Sequence, residues 1–457
     1  MNKKTYILLL ATALAWVFTS CDKFLDREPI SQITKDNYFN SEKNANSAVI
    51  GMYRTMLSSF GYGQSMIIVP EFSAQHVAHA SAFPEYEQFA AHGVQNTNPW
   101  TNNIWQSAYA TINAANNIIA RVPEMDDALI SDEAKNGFVG EAKFIRALEY
   151  FFLVRAFGNV PLQLMPTDEE DDLATPLSNP EEIYVQIVED LTDAMSLLED
   201  GNQGDAAFQK GRASHLAVKA LLAKVYLYQA AYTNDYGQAA ELAKEVIDDP
   251  RLALVQDYGS IWSAENTAES IFELQFDEQA TNPLAAVGND NASMLFYVKG
   301  SAPYELFEET DKRRDVTLKF GSRDRYYMGK FPNNAPATQN LLVIRLAEIY
   351  LIHAEAQARV DNAVSASSYA SLEKVQERAE VVKPIAIYTD LDMYIRAIQE
   401  EKQRELLFEG ETWFDFCRTG LALDKFESLD DENYFIYPIP ESQRALNPGW
   451  SQNEGYN

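Results

Sequence analysis

The sequence predicts an all-α protein of tetratricopeptide-like helical repeats, and three observations carry that prediction. The first is the stretch Glu141 to Pro161, EAKFIRALEYFFLVRAFGNVP, which can be buried almost all the way round. Lys143, Arg146 and Glu149 make a narrow polar stripe on it, while Phe144, Ile145, Ala147, Leu148, Phe151, Phe152 and Val154 cover the remaining circumference at helical period. The second is the pair Ala213 to Ala231 and Tyr236 to Ile247, whose alanines at i, i+4 let two helices approach across a short turn. The third is the absence of any Pro/Ser/Gly linker in a chain of 457 residues, which leaves one large core to be built.

In chain order, Lys3 and Lys4 precede an apolar run, Ile7 to Phe18, that ends at small residues directly before Cys21. The run is too short to span a bilayer comfortably and reads as a secretory signal of residues 1–20, with Cys21 as the acylated first residue of the mature chain, a single domain over 21–457. Loss of Lys3 and Lys4 takes the formal charge of −30 to −32. Such acidity excludes a nucleic-acid partner and any basic membrane patch, so attachment to a membrane falls to the lipid. Acylation of Cys21 leaves Cys417 with no partner for an intramolecular disulfide.

Ser41 caps an expected helix over 42–57, and a second runs from Asn102 to Val122 with Ile104, Ala108, Ile112, Ala115 and Ile119 along one face. The Glu141–Pro161 helix stops at Gly158, with Asn159 and Pro161 behind it. Pro180 opens a helix with Ile183, Ile187, Val188, Leu191, Met195 and Leu198 as its stripe. Leu341 to Arg359 and Leu391 to Glu409 complete about four helix pairs. Between helices lie three long irregular segments, 58–101, 276–302 and 321–340, unusually rich in rings: Tyr62, Phe83, Tyr86 and Trp100 in the first, Phe296 and Tyr297 in the second, Tyr327 in the third. Ring faces stack on the C–H faces of sugars; the competing reading is that each ring pins its loop to the core.

Other chemistry is poorly marked. His76, His79 and His92 with Glu71 lack the helical presentation of a two-histidine metal pair, and the acidic run 168–172 reads as a solvated loop. Cys417 has no patterned histidine, and no glycine loop for phosphates is present. The expectation is a protein with neither metal, cofactor nor catalytic residues.

Several ordered stretches resemble the SusD/RagB family of surface nutrient-binding lipoproteins. They are DKFLD after Cys21, the WQSAYATINAANNI helix, the AKFIRALEYFFLVRAFGNVPL stretch, APYELFEETDKRRD, LLVIRLAEIYLIHAEAQAR, KQRELLFEGETWFDFCRTG and YPIPESQRALNPGWSQNEGY. Departures are small: Glu411 and Thr412 replace residues that are often basic, and Glu454 replaces a proline. The resemblance implies a lipid-anchored protein on the outer membrane, facing outward. It implies binding of glycan without catalysis, and delivery to a SusC-like TonB-dependent transporter. It also implies ligand contacts just ahead of the WxxAY helix, where Trp100 and Asn103 stand. A peptide-binding RagB-like protein and, more distantly, a surface glycan hydrolase are the alternatives.

Overall fold

The computed structural model describes residues 38–81, 83–167, 175–198 and 210–456; the Cys21 anchor and the acidic run 168–172 lie outside the described residues. Helices dominate them, and the strands form short two-stranded antiparallel pairs. The all-α, tetratricopeptide-like expectation holds.

The hub helix spans Asp132–Phe157, a longer element than its motif, because Ser131 caps it: its Oγ accepts from the Ala134 amide at 3.2 Å. From Phe138 to Phe157 nearly every side chain is buried, since the helices Pro99–Arg121 and Pro180–Leu197 flank it. Gly140 is where the second of these comes closest; a Cβ there would lie 2.8 Å from Leu198 Cγ. Of the narrow polar stripe, Arg146 and Glu149 are buried with the rest and Lys143 is half-buried. Arg146 forks onto Asp190 at 2.7 and 2.6 Å and donates to Asn116 at 2.8 Å, so its charge is matched inside the core. Gly158, at φ 68°, ends the helix.

The last carbonyls of any helix lack intrahelical donors. Here the C-terminal stretch supplies them: Tyr437 N donates to Ala156 O at 2.6 Å and Asn453 Nδ2 to Phe157 O at 2.8 Å. The YPIP…QNEGY ending is therefore a seal on the hub helix.

The helices His215–Thr233 and Gly237–Ile247 form the close pair foreseen, turning at Asn234 in the left-handed region. Leu346–Asp361 packs on the latter, and Ala366–Ala379 and Leu391–Glu405 pack on Leu346–Asp361 in turn, sharing a second apolar cluster around Leu351, Leu372, Tyr394 and Ile398.

Three expectations are corrected. Residues 341–345 are not helical: Leu341–Arg345 is a strand paired with Ser270–Leu274, as suits a continuous apolar run with β-branched residues that is buried on both faces. The helix expected to reach Glu409 stops at Glu405, because Phe408 (φ 69°) and Gly410 (φ 81°) turn the chain. The ring-rich segments are not wholly irregular; they hold the helices Ser65–Ser73 and Pro84–Ala90 and the strands Val77–His79, Phe296–Val298 and Tyr326–Met328.

Candidate functional site

Asn98 organises the ring cluster. Its Oδ1 accepts from the Trp100 amide at 2.9 Å, starting the Pro99–Arg121 helix, while its Nδ2 donates to Glu85 O and Gln88 Oε1, both at 2.8 Å. One buried side chain thus ties two helix ends together and sets Trp100 face to face with Tyr86, ring centroids 4.6 Å apart. Tyr86 stacks on Phe72 at 4.6 Å and on His79 at 5.6 Å, with Phe83 against His79 at 5.0 Å and Phe60 against Trp100 at 6.2 Å. Pairing of Val77–His79 with Phe296–Val298 puts Phe296 directly opposite His79, closing the cluster from below. Burial raises the Tyr86 phenol above its ordinary range. Its rim is open: Phe60 is 42% and Phe83 38% exposed.

Asn103 stands one helical turn from Trp100, hence on the same face, half-buried and with no side-chain hydrogen bond among the described residues. Its neighbour Asn102 is taken up by Ser442 (2.6 Å) and Gln443 (3.1 Å). Trp100 Nε1 is buried without a partner among the described residues.

Alternation along Phe296–Val298 divides the remaining candidates. Phe296 and Val298 face the core, whereas Tyr297 faces outward beneath the Arg325 guanidinium at 4.2 Å. Tyr327 lies on the adjacent strand Tyr326–Met328, which pairs with Leu318–Phe320. Tyr62 does not join either group: it is 5% exposed and packs on Phe152 of the hub helix, a core ring. The structure thus gathers Phe83, Tyr86, Trp100, Asn103 and Phe296, with Tyr86 and Phe296 buried in the core beneath the open rings, sets Tyr297 and Tyr327 on a neighbouring surface, and places Tyr62 in the core away from both groups. Sequence reasoning missed His79, noted only as a metal ligand, and Tyr304, which stacks on Tyr326 at 4.9 Å. Period-2 spacing around the VAH and YYM triplets is the signal that could have found them.

A buried charge cluster holds this surface to the helices. Lys330, two residues beyond the Leu318–Met328 hairpin, donates to Glu405 O at 2.8 Å and to Glu409 Oε1 at 2.6 Å. Arg345 and Arg313 also reach Glu405, at 2.5 and 2.9 Å, and Arg378 joins them from the next helix. Burial pushes the Lys330 ammonium down to about 8, against the pull of Glu409. These groups are paired and enclosed, so they act as an anchor. The histidines do not converge. His76 pairs with Glu71 at 2.7 Å, and His92 bonds Ser73 O and Ser428 at 2.8 Å each. Cys417 is a free thiol raised by burial.

Two concavities lie apart from the rings. One of about 590 Å³ is lined by Arg404 and Lys383, already paired to Glu401 and Glu308. One of about 390 Å³ is lined by Tyr184, Tyr228 and Tyr232, with Arg155 and Arg418 paired to Glu411 and Glu355.

A helical-repeat frame carrying a ring cluster that opens at Phe60 and Phe83, beside the Asn103 amide, has the make-up of a binding protein. Comparison with known proteins specifies which. A profile described as "Starch-binding associating with outer membrane" matches residues 23–227, and the SusD family profile matches residues 255–433. The chain belongs to the SusD/RagB family. It is similar to a SusD-like protein of Bacteroides ovatus, 27% identical over 94% of this chain and 85% of the other. A SusD-like protein of Formosa agariphila is 24% identical, with 99% of each chain covered. Among solved structures, a SusD homologue from Bacteroides thetaiotaomicron superposes with a TM-score of 0.81 at 19% identity, over 93% of this chain and 99% of that one. A laminarin-binding SusD-like protein gives a TM-score of 0.78 at 25% identity, over 91% and 100%.

Proposed function

We propose that this chain is an outward-facing outer-membrane lipoprotein, anchored through Cys21. In this reading its single domain binds oligosaccharide on the Trp100 face and passes it, without hydrolysis, to a SusC-like TonB-dependent transporter. The observation that carries the reading is the Phe60–Trp100–Tyr86–His79 run of rings, open at Phe60 and Phe83 and flanked by the uncommitted Asn103 amide. A pyranose ring stacks its C–H face on such a surface, and a nearby amide fixes the orientation of a hydroxyl. Membership of an outer-membrane starch-binding family supports the same reading. Among the described residues no helix is long and apolar enough to cross a membrane.

Calorimetry of the purified mature protein against a panel of polysaccharides and peptides tests the ligand class; binding confined to peptides would replace the glycan reading. Detergent-solubilised pull-down from native membranes tests the partner. Co-recovery of a TonB-dependent barrel is expected, and recovery of the lipidated protein alone would leave a free-standing surface binder.

A further inference from the structure

The chain carries 67 acidic and 37 basic residues, so a cation without a counter-ion is a notable position for it to keep. The hairpin Leu318–Met328 keeps two. Its register sets Lys319 directly opposite Tyr327, so the two share a face, and Arg325 stands in the turn just before the Tyr326–Met328 strand. Neither Lys319 nor Arg325 makes an ion pair or a side-chain hydrogen bond among the described residues; the Arg325 guanidinium carbon sits 4.2 Å from the centre of the Tyr297 ring, with the ring and not a carboxylate as its partner. The nearby Asp290 is not available to them: it accepts from Ser322 N at 2.7 Å and Ser322 Oγ at 3.1 Å, with the Arg323 charge beside it. The two tyrosines are only partly exposed, whereas Lys319 is open to solvent.

We infer that the Lys319–Arg325–Tyr297–Tyr327 face recognises an anionic group, a carboxylate or a sulfate ester, on the ligand glycan, so that the bound polymer is an acidic polysaccharide. The inference rests on the glycan reading above and narrows it. The physics favours this occupant for two reasons. A guanidinium held on a ring has already lost its rotamer freedom, and its fork matches the two oxygens of a carboxylate or sulfate. An anionic polymer is repelled by a body of net charge −30, so a member of this family that used one would need local, unneutralised cations at the contact; screening within about 8 Å at physiological salt lets such a local site win over distant acids.

The test is calorimetry of the mature protein with matched probes. Polygalacturonate oligomers are set against their fully methyl-esterified form, and dextran sulfate oligomers against dextran. We expect the charged member of one pair to bind at least about tenfold tighter than its neutral twin, with the preference shrinking as salt rises. Which pair shows it tells carboxylate from sulfate. K319Q/R325Q should abolish the preference, with an unchanged melting temperature as the check on folding. K43Q/R54Q, an equal charge change on the Glu42–Met56 helix, should leave the preference intact. Equal binding of charged and neutral twins, or a preference that survives K319Q/R325Q, overturns this inference and leaves the glycan reading standing. Failure to bind any of the four probes or laminarin overturns both.

Discussion

Glu411 supplies the most quantitative prediction. It stands where the resembled pattern is often basic, and it answers the hub helix. Its Oε2 accepts from Arg155 at 2.7 Å and its Oε1 from Lys224 at 2.9 Å, while the Arg155 guanidinium sits between the Phe151 and Phe414 rings at 4.1 and 4.5 Å. Burial alone would raise the carboxyl; Arg155, then Lys224, outweigh it and hold it down to about 2. Against an ordinary value of 4.5, that depression corresponds to about 3 kcal/mol of folding stability at neutral pH. The sign is fixed by the depression: the contribution is complete above the unfolded value and is lost as pH falls through the folded one. Glu411→Gln should therefore lower the urea-unfolding free energy by about 3 kcal/mol at pH 7, and the gap from the parent should shrink to about 1 kcal/mol at pH 3. Urea titrations of both proteins from pH 7 to pH 3 decide it. A gap below about 1 kcal/mol at pH 7, or one that does not narrow on acidification, would show that Arg155 and Lys224 are compensated from elsewhere.

Three further outcomes follow from the same reasoning. Phe83→Ala should weaken glycan binding by about 1 kcal/mol with an unchanged melting temperature, because that ring is exposed, whereas Trp100→Ala should lose binding and also about 2 kcal/mol of stability, because it unstacks Tyr86; paired calorimetry and melting curves separate the two. Gly410→Ala should cost about 2 kcal/mol, since Gly410 has φ 81° and its Cβ would stand 3.0 Å from the Ile67 Cα; an unaltered urea midpoint would contradict this. Cys21→Ala should yield a folded protein absent from the outer-membrane fraction, and unchanged fractionation would remove the anchor.

The helical frame was legible because its signals are local. The Phe144–Val154 face, the alanines of 213–247 and the stop at Gly158 each sit within one or two turns of one another. Leu341–Ile344 misled because a short apolar run has no period of its own, and only its distant partner Ser270–Leu274 makes it a strand. The site was half legible. Ring density marked the right segments, yet Tyr62 and Phe83 look alike in sequence, and burial separates them only once the hub helix places Phe152 beside the former. Arg325 gave no signal of its own, since its importance lies in the absence of a carboxylate, which is a property of three-dimensional neighbours.

The pairing of Val77–His79 with Phe296–Val298 has a consequence for the order in which the chain acquires its parts. The helices 99–157 can form and pack from neighbouring sequence, but the floor of the ring cluster comes from a strand nearly half the chain away from its partner, and the hub helix is sealed by the distant Tyr437 and Asn453. Contacts of such separation close late, after local ones are in place. The folding chain would therefore pass through a stage in which a helical scaffold exists and the ring cluster still lacks its floor.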